Sequence, residues 1–303
     1  MPLAITTPTG HIGSALVRQL LDAGRRDLVL LLRDASRLDP DVRDAVDARE
    51  GEVQDADYVR QATEGADALF WLNPSDWTTP SLFDWYRDLG RSAAGAVEAN
   101  GIGHVVHLSS EGAQDRAGHG PVSGLGRVED ALDRTGAAVR HLRPGFFFEN
   151  FEAQVPAIAG AGAVFFPRPP ETTTSMIATA DIAQRAADLL LDLSWSGRGV
   201  VPLMGPSDLS YAEAADVLSD ALGRPVAVQQ VPPDAVRQQF LDMGATDEWA
   251  DGLVTLYTKI GTPGYGGDAE RTPEATTPTE LADWARRSLR PMVEAAGAQG
   301  GPA

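Results

Sequence analysis

Apolar residues fall along this chain in two rhythms. Short, mainly apolar strand candidates recur at Leu3 to Ile5, Leu28 to Leu32, Ala68 to Leu72, Val105 to Leu108 and Val139 to Leu142, the last two interrupted by His107 and by Arg140 and His141. Runs of that length, bounded by turn residues, read as buried strands. Between them the apolar positions step by three and four, as at Ile12, Leu16, Val17, Leu20 and Leu21, the stripe of an amphipathic helix. Similar spacing predicts a short helix over Tyr58 to Thr63 and further helices around Asp84 to Ala99 and Val128 to Arg134. Gly51 to Val53, just before Asp55, is the weakest strand and is expected at an edge. Strand and helix in alternation make βα units and a parallel sheet with both faces covered, and ligands bind such sheets beyond the carboxyl ends of the strands. Those ends are Thr6 to Gly10, Arg33, Asn73 with Pro74, Ser109 with Ser110, and Arg143 to Phe147.

The second half has a different pattern. Thr179 to Leu191 reads as a strong helix with Asp181 near its start. Ser210 to Leu222 reads as another, with Ser210 as N-cap, Glu213 at the capping-box position and Gly223 as stop. A strand is expected over Val226 to Val231, amphipathic helices over Asp234 to Met243 and Asp247 to Tyr257, and a last helix from a Thr279 cap to Arg290. The stretch from Thr262 to Thr279 is rich in Gly, Pro and Thr. The expected division is a dinucleotide-binding domain over 1–150, with 172–203 returning to its sheet. A smaller lobe over 151–171 and 204–296 closes on the sheet's carboxyl edge, and 297–303 is a disordered tail.

The first thirteen residues, MPLAITTPTGHIG, organise the rest. They read as strand, tight turn and helix, a unit that brings backbone N–H groups at a helix N-terminus up to a phosphate. Gly10 and Gly13 stand where the second and third glycines of the dinucleotide fingerprint fall, and Thr7 holds the place of the first. Substituting either glycine is expected to abolish cofactor binding without unfolding the protein. The second strand ends in Arg33 and Asp34, where such a unit meets the adenosine ribose. A leading acid would favour NAD, whereas Arg33, followed by Arg37, suits the 2′-phosphate of NADP(H). Either arginine alone also reads as a solvated surface charge.

Composition narrows the partners. A chain of 303 residues with 43% hydrophobic content is long and apolar enough for a sizeable core, and its net charge of −18 would repel nucleic acid and anionic membrane. The absence of cysteine removes disulfides, thiolate metal sites and a cysteine nucleophile. No spacing of Asp, Glu or His suggests a metal site. No targeting leader or membrane-length apolar run is evident, so a cytoplasmic location is expected.

Several segments in order, ITTPTGHIG, LLLRDASRL, GEVQ with Asp55, FWLNP, VVHLSSEGA, RVEDALDRTG, RHLRPGFFFEN and RTPEATTPTELADWA, resemble the NmrA-like branch of the atypical short-chain dehydrogenase/reductases. The resemblance implies an α/β fold: a Rossmann-type, doubly wound parallel sheet with a smaller mixed α/β C-terminal lobe, binding NAD(P)(H). It implies that Thr7, Gly10, His11, Ile12 and Gly13 line the pyrophosphate and that Arg33 meets the 2′-phosphate. Asp55 would lie near the adenine, and Asn73 and Pro74 near ribose and pyrophosphate. Ser109, Ser110 and Pro144 would lie by the nicotinamide. Asp55 reads equally as a helix cap, Ser109 and Ser110 as a loop start, and Pro144 as a strand terminator.

The proton donor of the wider superfamily, a Tyr with a Lys four residues later, cannot exist here: the only lysine is Lys259, and Thr255 stands four before it. His119, on a loop expected to face the cleft, is the candidate general acid beside Ser109 and Ser110. His104, His107 and His141 read as hydrogen-bonded core residues. Trp71, Trp77, Trp85 and Tyr86 from one strand end, and Phe146, Phe147, Phe148 and Phe151 from another, are expected to wall an apolar pocket for a flat aromatic substrate. Three functions follow. One is an NADPH-dependent reductase of a small aromatic, quinone-like or enone molecule, needing no strong acid and no essential tyrosine. The others are a non-catalytic dinucleotide sensor acting on a protein partner, and a non-redox isomerase or cyclase. Assembly is left open, a homodimer included.

Overall fold

The structure, a computed structural model, describes residues 1–267 and 269–299. Its first half runs β1 (Leu3–Thr6), α1 (His11–Asp22), β2 (Leu28–Leu32), α2 (Pro40–Arg43), β3 (Asp47–Glu50), α3 (Ala56–Ala62), β4 (Ala68–Leu72), α4 (Leu82–Asn100), β5 (His104–Leu108), α5 (Pro121–Leu132) and β6 (Ala138–Pro144). There follow β7 (Phe146–Phe147), α6 (Val155–Ala161), β8 (Ala163–Phe166), β9 (Thr173–Ile177), α7 (Thr179–Leu191), β10 (Arg198–Leu203), β11 (Asp208–Ser210) and α8 (Tyr211–Leu222). The chain closes with β12 (Ala227–Gln230), α9 (Pro233–Asp242), α10 (Asp247–Lys259), α11 (Leu281–Trp284) and α12 (Arg290–Gln299).

Seven strands form one sheet in the order β10-β6-β5-β4-β1-β2-β3, with every neighbouring pair parallel. The unbroken apolar runs of β1, β2 and β4 have a direct cause, because these central strands are buried on both faces. Ile5, Leu30, Phe70 and Val106 pack on the α1 and α7 side, while Ala4, Leu31, Leu69, Trp71 and Val105 pack on the α3, α4 and α5 side. Full burial of a side chain such as Phe70 stabilises the fold by about 1.5–3 kcal/mol. The direction of winding reverses between β1 and β4, which opens a crevice beyond their carboxyl ends. The Thr6 hydroxyl accepts from the Leu72 N–H at 2.8 Å, and the Thr7 hydroxyl donates to the Leu72 carbonyl at 3.1 Å, so the two strand ends are held in register there.

Two elements of the first half depart from the apolar pattern. The edge strand is Asp47–Glu50 rather than Gly51 to Val53; an edge strand needs no apolar run, and charge there deters pairing with another chain. Helix α5 begins at Pro121, well before Val128, although Gly124 and Gly126 lower its propensity. Packing decides: a Cβ at Gly124 would strike the Tyr86 ring, and one at Gly126 the Ala113 carbonyl.

The second half divides. β9 pairs antiparallel with β11 and parallel with β7, β8 pairs with β12, and β10 returns to the edge of the large sheet beside β6. Phe146, Phe148, Phe151, Phe166, Tyr211 and Trp284 fill the lobe's core. Helices α9 and α10 turn instead toward α4 and α5. Trp249 lies 6.0 Å from Tyr86 between ring centroids, and the Thr246 N–H donates to the Trp77 carbonyl at 2.9 Å. The Ser210 capping box is present as the sequence predicts. Thr279 is not a cap: its hydroxyl and N–H both donate to Asp181, at 2.8 and 3.0 Å, and α11 starts two residues later. The last helix runs on to Gln299, so residues 297–299 of the expected tail are helical, and 300–303 lie outside the described residues.

Candidate functional site

The turn after β1 is built on an unusual residue. Thr7 has φ +54°, the conformation that the first fingerprint glycine adopts elsewhere, and its hydroxyl bond to Leu72 offsets part of that strain. Gly13 is needed by the fold itself, since a Cβ would fall on the Thr7 carbonyl and 2.9 Å from Pro8 Cα. The expectation that Gly13 could be replaced without harm to folding is therefore corrected. Gly10 is different: a Cβ there meets nothing nearer than 3.7 Å, so its smallness serves whatever approaches the helix end. Helix α1 has no side-chain cap and no acid in its first turn, leaving its N–H groups and positive dipole end for an anion. Ile12 is buried, so only its backbone reaches that end, while exposed His11 lies 3.4 Å from Glu152 across the turn.

Beside this turn lies a cleft of about 620 Å³, lined by Thr7 and Thr9, by Arg33, Asp34 and Arg37, by the loops Gly51 to Gln54 and Pro74 to Thr78, and by Trp85 and Met243. Arg33 and Arg37 are exposed, and neither guanidinium has an ion-pair partner among the described residues. Asp34 is occupied: Ser36 donates to it from its hydroxyl at 2.6 Å and its N–H at 2.9 Å, which holds the carboxyl below its usual range. Free cations beside a tied acid fit the phosphate-bearing ribose of NADP(H), and the bare helix end fits its pyrophosphate. Asp55 does not line the cleft. It caps α3, accepting from Asp57 and Tyr58 at 3.0 and 3.1 Å, so the cleft wall there is Gly51 to Gln54 instead.

Asn73 is turned inward. Its Oδ1 accepts from the Trp71 indole at 2.9 Å, which fixes the amide so that Nδ2 donates to His107 Nε2 at 2.9 Å. His107 then donates from Nδ1 to His141 Nδ1 at 3.0 Å, and His141 from Nε2 to Asp133 at 3.1 Å. Each link determines the next, and burial, reinforced by His141 and Arg143, holds His107 well below the usual imidazole range. Pro74, which follows Asn73, lines the cleft.

At the end of β5 the Ser109 hydroxyl donates to buried Glu129 at 2.6 Å, and Arg143 closes a fork on the same carboxylate at 2.9 and 2.6 Å. Burial pushes Glu129 up, but the hydrogen bonds from Arg143 and Ser109 and the Arg143 charge outweigh it and hold the carboxyl below its usual range. Ser109 is thus committed to its support. The Ser110 hydroxyl donates to the Glu111 carbonyl at 3.0 Å, and the Glu111 N–H to that of Pro144 at 3.0 Å.

His119 does not face a cleft. It is buried, its Nδ1 donates to the Gly112 carbonyl at 3.0 Å, and its ring packs 5.1 Å from Tyr265. The aromatic pocket is not assembled either. Trp71 is wholly buried beneath the sheet, Phe146 and Phe148 belong to the lobe core, and Phe147 packs half-buried on the α1 and α7 side. Trp77 lines the cleft with Arg33, away from the phenylalanines. These side chains satisfy the two cores first, because burying an aromatic ring in a packed core is worth more than lining a wet surface.

Beyond β5, β6 and β10 two adjoining cavities of about 300 and 340 Å³ share Glu111, Ser175, Met204, Gly266 and Ala269. Arg143 and Gln114 line the first, and Tyr265, Asp208 and Arg271 the second. Burial, reinforced by Asp208, pushes Glu111 up to about 7. Glu111 sits in the SSEGA run at a strand end, a titratable group at a position where ligands meet such sheets. Tyr265 and Ser175 carried no such signal. Among the described residues no group of His, Asp and Glu could hold a metal ion, and no helix is long and apolar enough to cross a membrane.

Comparison with known proteins shows the family and the fold. The NAD(P)H-binding family matches residues 8–192. An NAD(P)H azoreductase of Xenophilus azovorans is 29% identical over 272 residues, 88% of this chain and 90% of that protein. The NADPH-dependent quinone oxidoreductase of Escherichia coli, solved with NADPH, superposes with a TM-score of 0.78 at 20% identity, over 95% of this chain and 99% of that one. NmrA, a negative transcriptional regulator solved with NAD, superposes at 0.69 with 16% identity, covering 98% and 97% of the two chains.

Proposed function

Because the chain belongs to the NAD(P)H-binding family and shares the fold of NmrA, we propose that it is a reductase that draws on NADPH to reduce a small aromatic, quinone-like or enone acceptor. The observation that carries the cofactor preference is the cleft in which Arg33 and Arg37 stand free while Asp34 is tied to Ser36. In this reading the N–H groups after Thr7, from Gly10 through His11 and Ile12 to Gly13, receive the pyrophosphate, and the two arginines receive the 2′-phosphate. Asn73 and Pro74 shape the wall at the switch point, and Ser109, Ser110 and Pro144 border the nicotinamide end. When bound, the reduced nicotinamide supplies a hydride. The chain's own work is to orient the two reactants, which can lower a barrier by about 7 kcal/mol or more. Trp77, on the loop after β4 and packed on Phe240 of α9, and Met243, in the turn between α9 and α10, border the adenosine end. The azoreductase and the quinone oxidoreductase among its relatives support conjugated acceptors.

The test is NADPH carrying deuterium at C4, offered with a panel of quinones, enones and aldehydes. Deuterium is expected on carbon in the product of an enone or aldehyde, and loss of the C4 deuterium from the oxidised cofactor when a quinone is the acceptor. NADPH that binds but is oxidised by no acceptor would overturn the reductase and favour a sensor, and turnover without cofactor oxidation would favour an isomerase or cyclase.

A further inference from the structure

Glu111 is placed by its backbone and by Gly266, while its carboxyl is left without a partner among the described residues. Its N–H is fixed on the Pro144 carbonyl at 3.0 Å, and Gly266 leaves it room, since a Cβ there would come 2.5 Å from Glu111 Oε1. Among the described residues no donor and no cation reaches its carboxyl. The neighbouring charges are spent or repulsive: Arg143 is bound to Glu129, Arg271 is paired with Asp208, and Asp208 itself faces Glu111. Gln114 donates to the Tyr265 carbonyl at 2.8 Å, and the Tyr265 hydroxyl, held protonated by burial, meets Ser110. On the same cavity stands Ser175, 6% exposed, with a buried hydroxyl that has no partner. A carboxyl so isolated stays protonated up to near neutral pH and is then a hydrogen-bond donor. Two donors on one cavity complement an oxygen with two lone pairs, and the charge of Asp208, which also favours the protonated form of Glu111, disfavours an anionic guest.

We propose that this cavity takes the acceptor end of an uncharged conjugated carbonyl compound, its oxygen between Glu111 and Ser175, and that Glu111 is the catalytic residue that protonates it. The inference rests on the reductase reading above. In the step, the O–H bond of Glu111 breaks and an O–H bond forms on the substrate oxygen. The electron pair enters the conjugated carbons as the hydride from reduced nicotinamide. The carboxylate recovers its proton from water.

Glu111→Gln keeps the shape and removes the acid. Infrared difference spectra of the protein without cofactor are expected to show a protonated carboxyl band that titrates away near pH 7 in the wild type and is missing in the variant. With NADPH and either a benzoquinone or 2-cyclohexenone, wild-type kcat/KM is expected to fall above about pH 7. Glu111→Gln should be ~10²-fold slower or worse and flat in pH, with NADPH affinity unchanged. Ser175→Ala should raise KM severalfold and keep the profile. A variant Glu111→Gln within about threefold of wild type with the same profile, or a carboxyl band already lost at about pH 6, overturns the proposal. If the wild type reduces neither compound, the reductase reading fails on its own. Binding of 2-cyclohexenone to the protein without cofactor then decides the cavity: tighter binding at low pH that Glu111→Gln abolishes supports it, and pH-independent binding or none overturns it.

Discussion

Thr7 and Gly10 divide the work that glycines do in other fingerprint turns. Thr7 accepts a left-handed backbone that costs an L-residue about 1–2 kcal/mol and recovers part of it through the bond to Leu72. Gly10 has space on the protein side, so Gly10→Ala is expected to fold like the wild type and to lose NADPH affinity by about tenfold or more. Gly13→Ala, whose new methyl group meets the Thr7 carbonyl, should unfold earlier by about 1–3 kcal/mol. Urea denaturation beside cofactor titration separates the two, and equal behaviour of the variants would contradict this division. Arg33→Ala is expected to cut the preference for NADPH over NADH by about tenfold, the low end for a charge-assisted bond because the site is exposed. Fluorescence titration with both cofactors measures it, and an unchanged ratio would remove Arg33 from the site.

Pairs of elements hold the site's floor. Glu129 on α5 receives Ser109 from β5 and Arg143 from β6, so one buried carboxylate sets the spacing of three elements. Glu129→Ala strands Arg143, whose side chain is 17% exposed, and is expected to cost about 3 kcal/mol or more in thermal or urea unfolding. Glu129→Gln should cost less, because the amide still accepts from Ser109. On the lobe, Ser210→Ala removes the hydroxyl that accepts from the Glu213 N–H in the α8 capping box, leaving the reciprocal backbone bond, and should cost about 1 kcal/mol with little effect on cofactor binding. A loss of NADPH affinity in that variant would mean that the lobe helix reaches the cleft.

Across the whole molecule three buried groups bend the dependence of stability on pH, and their signs differ. His107 lies below its unfolded value, so folding stability is lost as pH falls beneath about 6.5. Glu129 lies below its usual value, and its contribution is lost further down, as pH falls through the carboxylate range. Glu111 is raised, so the fold binds the extra proton, and stability declines as pH rises from about 4.5 to about 7. Chemical denaturation across this range should therefore show Glu111→Gln gaining on the wild type up to about pH 7 and holding a constant advantage above it. An advantage that shrinks as pH rises would reverse the sign assigned to Glu111.

Local pattern was enough for the parallel sheet, because strands buried on both faces are apolar except where a polar side chain is paired, as His107 and His141 are. It was also enough for the helices that carry their own caps, as the α8 box shows, and for the turn from Thr7 to Gly13, whose spacing is set by backbone geometry. The edge strand Asp47–Glu50 was not legible, since its order comes from pairing with β2 rather than from its own residues. Nor was the start of α5, where Gly124 and Gly126 make sense only against Tyr86 and Ala113. The aromatic residues after β4 and β6 show the same limit, for whether Phe146 fills a core or walls a pocket depends on which surfaces lie opposite, and β9 and α8 lie opposite it. Tertiary structure alone turned His119 inward, tied Asp55 and Ser109 to structural partners, and brought Glu111, Ser175 and Tyr265 together from three distant stretches. Periodicity reports which face of an element is buried; what a buried or half-buried acid can do is set by the neighbours that long-range packing supplies or withholds.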